Sequence, residues 1–365
     1  MRFTRRFGVV AIACGAFTIA LTAGVAVGAA PSAHMRHAPT FKEVDRVSDQ
    51  PGRAQLTDPA LVNAWGLALG PTTPLWVADN GTDQATVYAG GVGRAPVTKV
   101  PLNVAIPGGA PTGVVFNDTK GFVVRGPGGK APAAFIFVSE AGKVTAWNPT
   151  ATPGPAVTVA RVPGAIFKGA AILHTRFGPV LLATDFHNAR IVAFDRKFHK
   201  IHLSSRFFSD RHIPKGYAPF NIAVLGRSVY VTYAKQDADA EDDVAGAGFG
   251  FVDRYSAFGL HVRRVASRGT LNAPWGLAIA PRSFGKFAGK LLVGNFGDGR
   301  INVFNRHSGD FRGQLLNRHH QPITIDGLWA LLPGTATTGG TDAVWFSAGP
   351  DDESHGLLGQ LRSTH

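Results

Sequence analysis

Asn272–Leu316, NAPWGLAIAPRSFGKFAGKLLVGNFGDGRINVFNRHSGDFRGQLL, reads as four short strands with turns between them. WGLAIA, KLLVGN, RINVFN and FRGQLL are each apolar or alternating, as strands buried on one or both faces must be. Phe296-Gly297-Asp298-Gly299 is a hairpin signal, because glycine accepts a positive φ without a Cβ clash. One antiparallel sheet of this size cannot bury both faces alone, so the stretch predicts further copies of itself.

Five further units align on a Gly at the head of the first strand and a polar or small residue closing the second. Trp65-Gly66-Leu67 leads to Asn80, Thr112-Gly113-Val114 to Glu140, and Lys168-Gly169-Ala170 to Asp185. Phe220-Asn221-Ile222 leads to Ala234 and Asp326-Gly327-Leu328 to Gly349, beside Trp275-Gly276-Leu277 and Asn295 in the quoted unit. Asn221 is the one non-glycine, and asparagine tolerates a left-handed backbone best after glycine. Six units of roughly 50 residues with four strands each predict an all-β fold, a six-bladed β-propeller of four-stranded antiparallel blades. Phe41, Val44 and Val47 mark a short strand before the first unit. That N-terminal strand is expected to pair into the last blade, near Leu357–Leu361, and close the ring.

The 365 residues include 45 Gly and 24 Pro, yet 45% are hydrophobic, which fits a turn-rich all-β domain over 34–365 rather than disorder. Met1–Ala33 has a basic start (Arg2, Arg5, Arg6), an apolar run Phe7–Val27 and then small residues, the layout of a secretory signal peptide cut near Ala29. Export by the Sec route is expected, since Phe7 follows the arginine pair directly where a twin-arginine signal has an intervening residue. An uncleaved anchor is the alternative, as the run has about the length of a membrane span. The mature protein is then periplasmic or secreted, monomeric and without a membrane span. Cys14, the single cysteine, leaves with the leader, which excludes thiolate and disulfide chemistry from the mature chain.

The formal charge is +13, and ten of those charges lie beyond the leader. His187–Lys215 is the densest basic run. It reads either as a solvated outer-strand edge, where charge blocks edge-to-edge pairing, or as a site for an anionic envelope polymer. Nucleic acid is not expected as a partner. Gly90–Gly109 and Gly121–Pro132 are Pro/Gly-rich and read as connections.

Two loops are too long to be turns. Ala234–Gly250 carries Asp237, Asp239, Glu241, Asp242 and Asp243, and Gly349–Gly356 carries Asp351, Asp352, Glu353 and His355. Closely spaced carboxylates on a loop suit Ca²⁺ or another divalent cation, although the EF-hand spacing is absent; a solvated loop accounts for them equally. Asp351, Asp352 and His355 form a candidate acid–base group, without a G-x-S-x-G elbow beside it. The second-strand ends Asn80, Glu140, Asp185 and Asn295 gather oxygen donors around the expected axis, with Asn63, Thr112, Lys168, Asn272 and Asp326 at the strand heads. Turn chemistry alone explains the same residues. Trp65, Trp147, Trp275, Trp329 and Trp345 lie in strand runs, which predicts packing rather than sugar stacking. No H-E-x-x-H, Walker A, Rossmann or CxxC pattern occurs.

The segments NAWGLA (63–68), LWVADNG (75–81), APFNIA (218–223), TYAKQDAD (232–239), DDVAG (242–246), GFVD (250–253) and GPDDESHGLLG (349–359) resemble a family of exported bacterial six-bladed propellers. That family is NHL-like, has no established biochemical function, and includes members ending in a PEP-CTERM sorting signal. Leu361–His365 shows no such signal. The resemblance implies fold and export but no reaction. The set Asn80, Glu140, Asp185 and Asn295 is also similar in composition to the metal site of lactonase-type propellers, where the ion polarises an ester carbonyl. Two functions follow as expectations: a scaffold that binds a small ligand, an envelope polymer or a protein, and a metal-dependent hydrolase or lyase with the ion at the channel mouth.

Overall fold

The computed structural model describes residues 39–260 and 262–364; the expected leader Met1–Ala33 and its cleavage point lie outside them. Six antiparallel sheets follow one another along the chain. Their innermost strands are Ala64–Ala68, Pro111–Phe116, Phe167–Thr175, Tyr217–Leu225, Pro274–Ile279 and Leu328–Pro333. Each innermost strand touches the next in this order, and the sixth touches the first, so the strands close into a ring around an axis. This is the expected six-bladed propeller. Among the described residues, no helix is long and apolar enough to cross a membrane.

The quoted stretch forms its blade as read, with strands Pro274–Ile279, Leu291–Asn295, Ile301–Phe304 and Phe311–Gln314. Gly299 takes the positive φ (+66°) that its hairpin requires. The ring closes as expected from both ends of the chain. Phe41–Ser48 pairs antiparallel with Leu357–Ser363, from Phe41 opposite Ser363 to Ser48 opposite Leu357. Phe41, almost fully buried, packs its ring 4.8 Å from that of Phe284, and Arg46 Nη2 donates to Gln360 Oε1 at 2.8 Å. A short strand, Leu56–Thr57, adds to this blade in parallel, making it five-stranded.

Both stretches expected as connections contain strands. Val97–Ala105, with Pro101 as its single proline and no glycine, is the outer strand of the first blade. Val123–Gly126 and Gly129–Pro132 form a separate hairpin inserted between the first two strands of the second blade.

The recurrent glycine has a different cause from the one its asparagine replacement suggests. Neither Gly66, Gly113, Gly169 and Gly276 nor Asn221 has a positive φ. What these positions share is backbone proximity to the next blade. A Cβ on Gly66 would lie 2.4 Å from the Thr112 carbonyl oxygen, and one on Gly113 would lie 2.6 Å from the Ala170 nitrogen. Asn221 uses its side chain to bridge this gap, donating from Nδ2 to the Trp275 carbonyl at 2.8 Å. In the sixth blade the equivalent residue is Ala330. Gly327, aligned with the series on sequence, instead makes the preceding turn with φ +62°.

Gly113→Ala therefore inserts a methyl group against backbone that cannot move aside, and should cost about 2 kcal/mol. Gly154→Ala, at an exposed site with nothing within 4 Å, should stay within about 0.5 kcal/mol of the parent. Denaturant midpoints of the two variants check this, and equal midpoints would remove the close-approach explanation.

Candidate functional site

Each innermost strand slips register at its head, which leaves one residue per blade outside the ladder. A bulge of this kind re-aims a side chain. The residues preceding the glycine position are Trp65, Thr112, Lys168, Phe220, Trp275 and Trp329. Trp329 stacks on Trp65 (3.7 Å between centroids) and meets Trp275 and Phe220 edge-on at 5.9 and 5.8 Å. Lys168, 1% exposed, places its ammonium 5.1 Å from the Trp65 ring. These side chains plug the axis, and one of them is charged.

A chain of polar side chains covers the plug. Asn63, 5% exposed, accepts at Oδ1 from both Trp65 Nε1 (2.9 Å) and Trp329 Nε1 (3.0 Å). Its Nδ2 donates to Asn80 Oδ1 at 3.2 Å and to Glu353 Oε2. Asn80 Nδ2 donates to Glu140 Oε2 at 2.9 Å, and Glu140 Oε1 accepts from Lys168 Nζ. The same ammonium donates to Asp242 Oδ1 at 2.7 Å. The network thus joins the loop of the sixth blade, the first three blades and the loop of the fourth. Glu353 reaches Asn63 from a turn in which Asp351, Asp352 and Glu353 all have positive φ (+55°, +51° and +63°). Three such non-glycine residues in succession are strained, and strain of this kind collects at functional sites.

Electrostatically the mouth is a cation ringed by acids. Burial opposes the charge on Lys168, but Glu140 and Asp242 outweigh it and hold the ammonium above the ordinary lysine range. Burial raises Glu353, with Glu140 and Asp242 adding to it; the bond from Asn63 and the charge of Lys168 pull it back. Asp243 is pushed up to about 7, first by burial and then by Glu353 and Asp242, against the pull of Lys168. Its Oδ2 is buried without a hydrogen-bond partner.

Of the four second-strand residues, the structure brings together Asn80 and Glu140 but not Asp185 or Asn295. Asp185, fully buried, accepts from Arg190 Nε at 2.8 Å and from Asn188 Nδ2 at 3.0 Å. Asn295, also fully buried, donates to the Thr270 carbonyl (2.8 Å) and to Asp298 Oδ1 (2.9 Å). The cause is register. Asp185 pairs with Phe167 and Asn295 with Pro274, as Asp79 pairs with Ala64. They therefore match Asp79, one residue short of Asn80, and a slip of one residue in a strand turns the side chain to the other side. The residues that do reach the axis in those blades are Phe186, 5.2 Å from Phe220, and Phe296, stacked 4.0 Å from Trp329.

The two loops divide in the same way. Asp242 and Asp243 reach the mouth, whereas Asp237 accepts the Glu241 N–H at 2.9 Å within its own turn and Asp239 is exposed. Asp351 and Asp352 are exposed, and His355 Nδ1 pairs with Asp49 Oδ2 at 2.7 Å, away from Lys168. Glu353 is the member of that loop that joins the axis. Among the described residues, no group of three or more His, Cys, Asp or Glu side chains is arranged to hold a metal ion. Glu140, Asp242 and Glu353 are already engaged there by Lys168, Asn80 and Asn63, which leaves Asp243 Oδ2 as the buried oxygen without a partner. This donor set therefore does not fit the lactonase-type arrangement.

Below the plug, the axis opens into a cavity of about 580 Å³, lined chiefly by aliphatic side chains such as Leu67, Val114, Ile222 and Leu277. At its edge His174 Nε2 pairs with Asp118 Oδ1 at 3.0 Å. The polar mouth and this apolar cavity lie on opposite sides of the tryptophans.

Asp243 supplies a pH test. Its folded pKa lies above the unfolded value. Its contribution to stability is therefore complete below about pH 4 and is lost as pH rises through about 7. Asp243→Asn should accordingly raise Tm more at pH 8 than at pH 5, measured as paired melts of variant and parent. A gain of equal size at both pH values would show that Asp243 ionises normally.

No family model matches the sequence. The uncharacterized protein R648 of Acanthamoeba polyphaga mimivirus is 34% identical over 339 residues, covering 91% of this chain and 82% of the viral protein. Uncharacterized protein L690 of the same virus is 31% identical over 343 residues, covering 91% and 88%. Among solved structures, a structural genomics protein of unknown function from Bacteroides thetaiotaomicron matches with a TM-score of 0.53 at 10% identity, over 89% of this chain and 76% of that one. That likeness shows the fold alone. The two viral relatives do not carry the bacterial setting of the resembled family. With identity above 30% sustained along most of its length, the chain belongs to the family of uncharacterised proteins that includes R648 and L690.

Proposed function

We propose that the chain is a binding scaffold, and that the acidic mouth over the tryptophan plug is where it meets a small ligand or a protein segment. The observation that carries this reading is the Lys168 network. A buried ammonium held by Glu140 and Asp242 fixes a rigid floor, and more carboxylate oxygen surrounds it than one cation can satisfy. Glu140, Asp242, Asp243 and Glu353 supply acceptors, so the matching ligand presents hydrogen-bond donors, with a protonated amine as the simplest case. Preorganised acceptors on a strained loop lower the cost of ordering the site when a ligand arrives.

A divalent cation enters this reading as a competitor for Glu140 and Asp242, and a hydrolase built on it would have to displace Lys168. Export through the Met1–Ala33 leader belongs to the same proposal, and N-terminal sequencing of protein recovered from outside the cytoplasm tests it.

For the mouth, the measurement is a thermal shift with a linear diamine and, separately, with calcium. At a hundredfold excess over Kd, a ligand of the native state alone adds about 2.7 kcal/mol. The diamine is expected to raise Tm, and Asp242→Asn with Glu353→Gln to abolish the rise. Lys168→Met should itself cost about 3 kcal/mol, the low end for breaking a buried pair, since it leaves the part-exposed Glu140 without its cation. A calcium shift that survives in Lys168→Met, with no response to the diamine, would replace this reading with the metal-dependent one. No shift with either probe would remove the mouth as a binding site.

A further inference from the structure

The inserted hairpin of the second blade is the only two-stranded sheet among the described residues. It is firmly seated. Phe122 at its base is fully buried, its ring 5.2 Å from that of Phe198 in the third blade, and its N–H donates to the Arg196 carbonyl at 2.6 Å. The hairpin therefore stands in fixed relation to the Asp195–His199 turn. Between them lies a groove of about 770 Å³ whose polar lining is Lys120, Arg125, Lys130, Arg196, Lys197 and His199. Three of these cations come from the second blade, outside the basic run visible in the sequence.

No acidic residue lines the groove. Of the acids close in sequence, Asp118 pairs with His174, and Asp195 accepts the backbone N–H groups of Lys197 (2.7 Å) and His199 (2.9 Å) and pairs through Oδ2 with His199 Nδ1 at 3.4 Å. None of the five lysines and arginines makes an ion pair among the described residues. Arg125 and Lys130 stand directly opposite each other in the hairpin register. Like charges in that position destabilise a strand pair, and protecting the hairpin's edges needs cations on them but not two placed directly opposite each other. The arrangement makes sense when a negative charge lies between them.

We propose that this groove binds a linear acidic polysaccharide, one carrying a sulfate or carboxylate on each repeat. The cations are exposed and spread over two blades, which suits successive charges along a chain rather than a single anion in a closed hole. No Phe, Tyr or Trp side chain lines the groove, and its single ring is the exposed imidazole of His199. Single-stranded nucleic acid is ordinarily held by bases stacked on aromatic rings, so the site offers charge without a stacking platform. The surface is distinct from the mouth and opposite to it in sign.

The test is fluorescence anisotropy of a labelled heparin dodecasaccharide with the intact chain, at about 50 and about 200 mM NaCl, since charge-driven binding weakens with salt. Arg125→Ser with Lys130→Ser is expected to weaken binding about tenfold or more, while Tm holds or rises as the repulsion is removed. Arg227→Ser with Arg263→Ser, two exposed cations of the fourth blade, should change binding less than about twofold. If the hairpin variant melts early, Arg196→Ser with Lys197→Ser on the facing wall decides, with the same tenfold loss expected. Equal losses in the groove and fourth-blade variants would overturn the proposal, as would absence of binding at low salt. Tighter binding of a length-matched single-stranded DNA would overturn it in favour of nucleic acid.

Discussion

Six strands brought side by side around an axis leave no room for side chains between their backbones, and this spacing governs the rest of the molecule. Glycine occupies the tightest position in four blades, Asn221 takes it in the fourth blade and Ala330 in the sixth. The same crowding explains the bulge at each strand head. The chain cannot continue its pleat into the axis, so each strand head bulges, and the side chains of Trp65, Lys168, Phe220, Trp275 and Trp329 meet there. Trp65, Trp275 and Trp329 fill most of the space, and the axial channel of an open propeller becomes a plug with a polar cover.

Lys168 is the exception within that plug, and its presence needs a reason beyond stability. Taking an ammonium out of water costs several kcal/mol, and even a good ion pair often does no better than an apolar residue of the same shape. The protein offsets the cost with Glu140, Asp242 and the face of Trp65. Each of these partners is itself constrained: Glu140 by Asn80, Asp242 by the long loop of the fourth blade, and Trp65 by Asn63. A methionine would fill the position with fewer dependencies. What the lysine adds is geometry, because it draws a loop from the fourth blade and a side chain from the second to one point over the axis.

The fold was legible because its signals are local. Strand alternation, turn glycines and a repeat of fixed length are all read within a few residues, and the closing strand followed from an unpaired apolar run before the first unit. The candidate site was legible only in part, because its signals depend on register. Asn80 and Asp185 look equivalent as polar residues ending a second strand, yet they differ by one position in the ladder and so face opposite ways. Phe186 and Phe296, which do face the axis, carried no sign of a site. The visible clue was the reverse one: Lys168 is a charged residue at the head of an apolar strand, where only burial with acidic partners is tolerable. Contacts between loops, such as Glu353 with Asn63, have no sequence pattern to announce them.

Charge is distributed with the same economy. Three acids of the two long loops, Asp242, Asp243 and Glu353, reach the mouth, while cations such as Arg125, Lys130, Arg196 and Lys197 are exposed on the blades. Protection against edge pairing accounts for many such cations but not for those beside the inserted hairpin. The outer strand there, Lys200–Ile201, pairs through only two residues and is too short to template another chain. Arg196, Lys197 and His199 therefore guard an edge that needs little guarding, and they face Arg125 and Lys130 across a gap that any arrangement serving stability alone would have filled with acid. Repulsion kept in place by a buried Phe122 anchor is a cost borne in the free protein, and binding of an anion is the event that would remove it.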